Sequence, residues 1–263
     1  MGIDARTPVP TVAGWRPADM IKAGDEVFNY LGKPVKVTSV QTYTPPECYK
    51  VWFQDGLTLV VDWRTGLPVI TERQYQVFRQ WSRRRPQKSN IILPRSPRDL
   101  MEGAAGVCRI INSRPIQPEH RNLPIEPFEF GQWTMDRSPT RRARFTSTLL
   151  DWYGEVPKYI PDTYLFASFE QRLALLRGIL STRPNLFKPN TTWFRMITRD
   201  QQKARNWQNL AESLGIRTML NYDGGGKWNL RFKTTLRLLP NQTAPTRYPN
   251  LSSSGKQIGR AHV

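Results

Sequence analysis

A mixed architecture, a β-rich domain followed by an α+β half-domain, is the fold class that this 263-residue chain predicts. Three observations carry it. Short alternating apolar segments separated by frequent turns fill the chain before residue 62. A helix, a strand, a helix and a hairpin follow one another between residues 169 and 233. No apolar run of about 18 residues interrupts them, so no membrane span is predicted.

In order along the chain, Pro17 to Ile21 is a short helical segment that Ala23-Gly24-Asp25 turns out of. Val27-Phe28 and Val35–Val40 alternate as half-buried strands around Leu31-Gly32-Lys33-Pro34. Tyr49–Phe53 and Leu57–Val61 make another strand pair across Asp55-Gly56. Ser96 and Pro97 are a helix N-cap and first position. Further on, Phe169–Leu180 places Leu173, Leu175, Leu176 and Ile179 on a helix capped by Ser168. Trp193–Ile197 alternates as a strand. Asp200 caps a helix that gathers Ala204, Trp207, Ala211 and Leu214 on one face and ends at Gly215. Arg217–Tyr222 and Trp228–Lys233 form a hairpin across Asp223–Lys227; that glycine run has no following helix and no Lys-Ser/Thr pair, so it is a turn and not a phosphate loop.

The charge is +18, from 39 Lys and Arg against 21 Asp and Glu. Such an excess points to an anionic partner, most simply nucleic acid, since neutralising phosphates releases counterions; solubility or a basic tail is the other use. Arg83, Arg84, Arg85 and Lys88 sit in a stretch, residues 81–119, that is either a solvated linker or a DNA-contacting insertion. With only two cysteines and two histidines there is no zinc-site spacing and no disulfide framework. The N-terminus has no secretory pattern, and a cytoplasmic monomer is expected. Residues 250–263 read as a disordered tail. Its last six, Ile258 to Val263, are what a common sequencing-adapter string encodes in one frame and are expected to be read-through, the protein itself being cut short after Pro249.

Two stretches resemble known families. Ile160 to Asn185, IPDTYLFASFEQRLALLRGILSTRPN, is similar to the core helix of LAGLIDADG (DOD-type) homing endonucleases carried by inteins. Leu123 to Arg137, LPIEPFEFGQWTMDR, resembles the first of that family's paired motifs. The resemblance implies two helices packed through Gly131 and Gly178, with acidic ends that hold Mg²⁺ for double-strand DNA cleavage. Asp136 falls on the catalytic, metal-binding acid; a turn cap or a pair with a neighbouring arginine is the other use open to it. Arg183 stands where the second acid belongs, and Arg137 replaces a glycine. The two motifs are 47 residues apart, roughly half of what a complete α-β-β-α-β-β unit takes, so the first half is trimmed. The saddle-shaped sheet of the intact half would lie on double-stranded DNA through Arg195, Arg217, Lys227, Arg231 and Lys233.

Residues 7–61 resemble the Hint splicing domain of inteins in Thr7-Pro8, Gly14-Trp15, Gly24-Asp25 and Asp55-Gly56. That implies protein splicing out of a host extein protein, with a phage gene such as a packaging terminase as the expected host. Two required groups are missing. The nucleophile position falls near Gly2, and Arg64 occupies the place of a histidine that must shuttle a proton. The expected domains are a Hint-like part over 1–80, the basic stretch 81–119 and a degenerate endonuclease over 120–249. A non-catalytic basic DNA-binding protein is the alternative from another class, and a basic RNA-binding protein with accidental likeness a third.

Overall fold

In a computed structural model of the chain, the described residues are 2–53, 57–71, 93–102, 108–110, 113–135, 138–182, 193–234, 236–239 and 257–261. Their content is mixed α/β, and every sheet is antiparallel.

The first sheet has the order β2-β1-β3-β4, from β1 (Pro8–Thr11), β2 (Gly14–Pro17), β3 (Glu26–Phe28) and β4 (Pro34–Lys36). The β1–β2 turn closes on Thr11, whose hydroxyl donates to the Gly14 carbonyl at 2.7 Å and accepts from the Ala13 N–H at 3.1 Å. β4 ends at Lys36, short of the predicted Val40. All three of its residues are exposed, and Val40 beyond it is exposed too, so the alternation there has no face to bury and nothing extends the ladder.

β5 (Cys48–Trp52) and β6 (Thr58–Asp62) pair with Tyr49 opposite Val61 and Val51 opposite Leu59. Tyr49, Val51 and Val61 build a small core with Leu67, Val69 and Leu100. Leu67 and Val69 come from β7 (Leu67–Thr71), which lies between β8 (Leu93–Arg95) and β9 (Cys108–Ile110). Leu100 comes from α1 (Pro97–Met101), whose cap Ser96 exchanges hydrogen bonds with Asp99. Residues 93–102 and 108–110, within the stretch read as a linker or a DNA-contacting insertion, thus contribute to the β-rich part. The tail also departs from expectation: β13 (Gln257–Ala261) pairs antiparallel with the free edge of β5.

The larger core belongs to the second half, formed by α2 (Pro127–Met135), α3 (Pro139–Tyr153), α4 (Asp162–Leu165), α5 (Phe169–Ser181), β10 (Trp193–Thr198), α6 (Gln201–Ser213), β11 (Thr218–Tyr222) and β12 (Trp228–Lys233). From α5 onward the order is helix, strand, helix, hairpin. No strand lies between α2 and α5 among the described residues. The sheet runs β10-β12-β11 and buries Phe194, Met196, Leu230, Phe232 and Leu220 against Trp207, Leu210 and Ala211 of α6. Caps set the helix starts. Ser168 and Gln171 form a capping box on α5, and the Asp200 carboxylate accepts from the Lys203 N–H at 3.0 Å, which holds its carboxyl below the ordinary value.

α2 and α5 pack through backbone. A Cβ on Gly131 would run into the Leu175 carbonyl oxygen, and a Cβ on Gly178 into the Phe128 carbonyl oxygen. Phe128 and Gly131 are matched one for one by Leu175 and Gly178, so the contact is reciprocal, the signature of a local twofold axis between the helices. Only glycine permits such an approach.

Arg172 ties this pair to its surroundings. It is 0% exposed, and its guanidinium donates to three carbonyls: Ala167 at 2.8 Å, Ser213 at 2.6 Å and Ile116 at 2.5 Å. Burial brings its pKa down to about 10, so it remains charged at neutral pH. Ser213 is the last residue of α6, where the helix dipole favours a cation.

Gly178→Ala is expected to cost about 3 kcal/mol or more, because the clash is with backbone and cannot relax through a rotamer. Gly225→Ala, whose Cβ meets only the Asp223 side chain at 3.5 Å, is expected to stay within about 0.5 kcal/mol. Urea midpoints of the two variants check both values.

Candidate nucleic-acid interface and a second cleft

The face of the β10-β12-β11 sheet turned away from α6 collects the basic residues. Directly opposite residues share a face, and Arg195 stands opposite Arg231, which in turn stands opposite Met219. One row along, Trp193 stands opposite Lys233, whose ammonium sits 4.4 Å from the indole centroid. Arg217 precedes β11 with the parity that continues this row. Arg195, Arg231 and Trp193 are exposed, Lys233 and Arg217 half-buried. Lys227 is exposed in the β11–β12 turn. The structure therefore gathers three predicted residues on one strand pair, with Arg217 beside them and Lys227 at the tip. Arg83, Arg84, Arg85 and Lys88 lie outside the described residues.

No ion pair among the described residues neutralises Arg195 or Arg231. Like charges directly across a ladder cost stability, so this pair is maintained against the fold's own interest and suits an anion lying across the strands. Arg195 is held by a residue that sequence reasoning missed. Asn229 Oδ1 accepts from Arg195 Nε at 3.1 Å and from Nη2 at 2.7 Å. Nothing in the alternation marked Asn229, because a polar residue in a half-solvated strand is ordinary.

The C-terminal ends of α2 and α5 repeat the local symmetry. Thr134 donates its hydroxyl to the Gly131 carbonyl at 2.8 Å, and Ser181 donates its own to the Gly178 carbonyl at 2.8 Å. Gln132 donates across to Ser181 at 3.2 Å. Asp136 and Arg183, the residues expected at the working ends, lie outside the described residues. Among the described residues no group of three or more His, Cys, Asp or Glu could hold a metal. The described hydroxyls at these two ends, on Thr134 and Ser181, are committed to helix carbonyls.

The β-rich part contains a separate open cleft of about 560 Å³, lined by Gly2, Ser39, Gln41, Tyr43, Asp62, Arg64 and Thr65. It brings together Gly2 and Arg64, the two positions at which splicing chemistry would need its groups. Gly2 donates its N–H to the Thr65 hydroxyl at 3.0 Å and accepts from it through its carbonyl at 2.8 Å. The Asp62 N–H donates to the same carbonyl at 3.1 Å, and the Tyr43 hydroxyl donates to the Asp62 carboxylate. That bond, with burial, holds the Tyr43 phenol above its ordinary value. Arg64 lies over the Trp63 ring at 4.7 Å. Cys48, opposite Asp62 in the ladder, has its thiol pushed up by burial and the nearby carboxylate, which disfavours the thiolate nucleophile. Tyr43, Asp62 and Thr65 were not expected at the cleft; the Ile3–Val61 bridge and the turn that the Thr65 N–H closes on the Asp62 carbonyl bring Thr65 back to Gly2.

No helix among the described residues is long and apolar enough to cross a membrane. No family model matches the chain. The chain is similar to a replicative DNA helicase, DnaB, of Mycobacterium intracellulare, with 24% identity over 248 residues that cover 80% of this chain and 42% of that protein. The chain thus spans less than half the length of this relative, which is a bacterial helicase and not a phage packaging protein.

Removing one member of the arginine pair is expected to stabilise the unliganded protein. Arg231→Ala should raise unfolding free energy by about 0.2–1 kcal/mol at low salt, with the gain fading near 1 M salt as the repulsion is screened. Urea titrations at two ionic strengths measure it.

Proposed function

We propose that the chain is intein-derived: a Hint-like splicing domain joined to a homing-endonuclease-like domain that keeps its DNA-binding sheet and has lost its chemistry. One observation carries this reading, the reciprocal Gly131 and Gly178 contact between α2 and α5. It gives a physical reason for glycine at matched places in two motifs that, by resemblance, belong to paired endonuclease helices. The helix, strand, helix, hairpin order after α5 supports the same origin.

The likeness to a helicase fits as well. The chain contains no G-x-x-x-x-G-K-[ST] sequence, so it lacks the phosphate-binding loop a nucleotide-driven helicase would use. An insertion carried within a helicase gene would account for such an alignment, and the host extein is then a replicative helicase.

The cleft supports a loss of splicing. Gly2 has no side chain to attack a carbonyl, an arginine stands at position 64 where a histidine is needed, and Tyr43 is occupied with Asp62. A loss of cleavage is supported by the sequence at position 183, where an arginine takes the place of a metal-binding acid. What remains is a basic sheet face. Arg195, Arg231 and Lys233 present three cations across neighbouring strands, with Arg217 alongside, a spacing that suits duplex phosphates.

Incubation with a mixed duplex library in Mg²⁺ is expected to give salt-dependent retention without double-strand cutting. Phosphate contacts from Arg217, Arg231 and Lys233 predict a slope of log affinity on log salt of about −3 or steeper. Specific cutting abolished by Asp136→Ala would restore the enzyme reading. Tighter binding to single-stranded RNA than to duplex DNA would favour an RNA-binding protein.

A further inference from the structure

The hydrogen bonds around Asn229 form a relay that ends on the basic sheet face. The relay starts in the β11–β12 turn, where Asp223 Oδ1 accepts from the Gly225 N–H at 2.9 Å and the Lys227 N–H at 3.0 Å. Gly224 and Gly226 adopt φ of 73° and 81°, which lets the loop wrap around that carboxylate. The other carboxylate oxygen of Asp223 faces the Asn229 amide, with Nδ2 at 3.5 Å. Asn229 is 4% exposed, and its Oδ1 takes both the Nε and the Nη2 of Arg195.

The amide has only one good orientation. A flip would set its NH₂ against a guanidinium and its oxygen against a carboxylate, two repulsive contacts in place of two attractive ones. Holding Arg195 by its Nε–Nη2 side leaves Nη1 without a partner among the described hydrogen bonds, so the terminal Nη1–Nη2 fork faces outward on an exposed residue. A lysine or a loose arginine suffices for a phosphate, which needs charge more than direction. A planar fork fixed from behind suits a flat pair of acceptors, such as O6 and N7 of guanine in the major groove.

We infer that Asn229, fixed by Asp223, is a positioning residue that aims Arg195 at a guanine edge in duplex DNA, so that Arg195 specifies a base where Arg231 and Lys233 only hold phosphates. The inference rests on the duplex-binding reading above. It also assigns Asp223 a role beyond the turn, although that residue touches no DNA itself.

The test is selection of bound sequences from a randomised duplex library by the full chain and by Arg195→Lys, Asn229→Ala and Asp223→Asn. The wild type is expected to enrich a site containing a guanine. Arg195→Lys and Asn229→Ala should each lose preference at that one position by about tenfold or more, while the preferences at the other positions stay unchanged. Asp223→Asn keeps the turn acceptor but presents an amide to Asn229, and should lose part of the preference at the same position. Because Asp223 is exposed, this variant keeps the test sound should Asn229→Ala fold poorly. Uniform weakening at all positions in Asn229→Ala, or an unaltered site in both Asn229→Ala and Asp223→Asn, overturns the assignment. A wild type that binds duplex DNA without sequence preference overturns it too and leaves the duplex reading standing. A wild type that does not bind duplex DNA removes both.

Discussion

The backbone contact between α2 and α5 is the constraint on which the second half of the molecule depends. With Gly131 against the Leu175 carbonyl and Gly178 against the Phe128 carbonyl, the two helices approach as closely as backbone allows. Everything else is built outward from that pair. Phe130 and Trp133 on α2, and Leu175, Leu176 and Ile179 on α5, fill the surrounding core. Arg172 then ties the start of α5 to the end of α6 and to residue 116 through three carbonyls. A buried cation satisfied only by carbonyls is costly to replace, since removing it takes the donor from the Ala167 and Ile116 carbonyls and leaves the Ser213 carbonyl only the Ile116 N–H. The sheet that α6 supports is therefore mounted on the helix pair with little freedom to shift.

The local symmetry is incomplete. The two helices are near equivalents down to the hydroxyls of Thr134 and Ser181, yet only one of them is followed by strands. After α2 the chain turns directly into α3, and Leu150 and Trp152 on that helix are exposed. Under the proposed reading a symmetric saddle needs a sheet after each helix, and among the described residues strands follow α5 while none lies between α2 and α5.

Much of this was legible in the sequence. The caps at Ser96, Ser168 and Asp200, the helix, strand, helix, hairpin order and the buried face of α6 all follow from short-range rules that tertiary packing had no reason to override. The strand ending early at Lys36 and the strands at Leu93–Arg95 and Cys108–Ile110 were not, because each depends on whether a distant partner strand is present. For the candidate sites, the family resemblance singled out Arg195, Arg231 and Lys233, and the ladder register sets Arg195 opposite Arg231 with Lys233 one row along. The roles of Asn229 and Thr65 depend on neighbours brought in by strand pairing, Thr65 lying 63 residues from Gly2 in the chain. The cleft shows the same division: Gly2 and Arg64 were identified by motif, whereas Tyr43 and Asp62 beside them required the fold.

Under the proposed reading, a scaffold kept without its reacting groups makes a geometric demand on how such a protein would meet DNA. Strands of six residues extend about 20 Å, which matches about six base pairs of duplex and not twelve. Hydroxyl-radical footprinting of the chain on a duplex recovered by selection tests this most directly. The account predicts an asymmetric footprint of about one helical turn or less, on one side of any dyad in the site. A twofold-symmetric footprint spanning two turns would contradict it, since that requires a sheet following α2 as well as α5, and none follows α2 before α5 among the described residues.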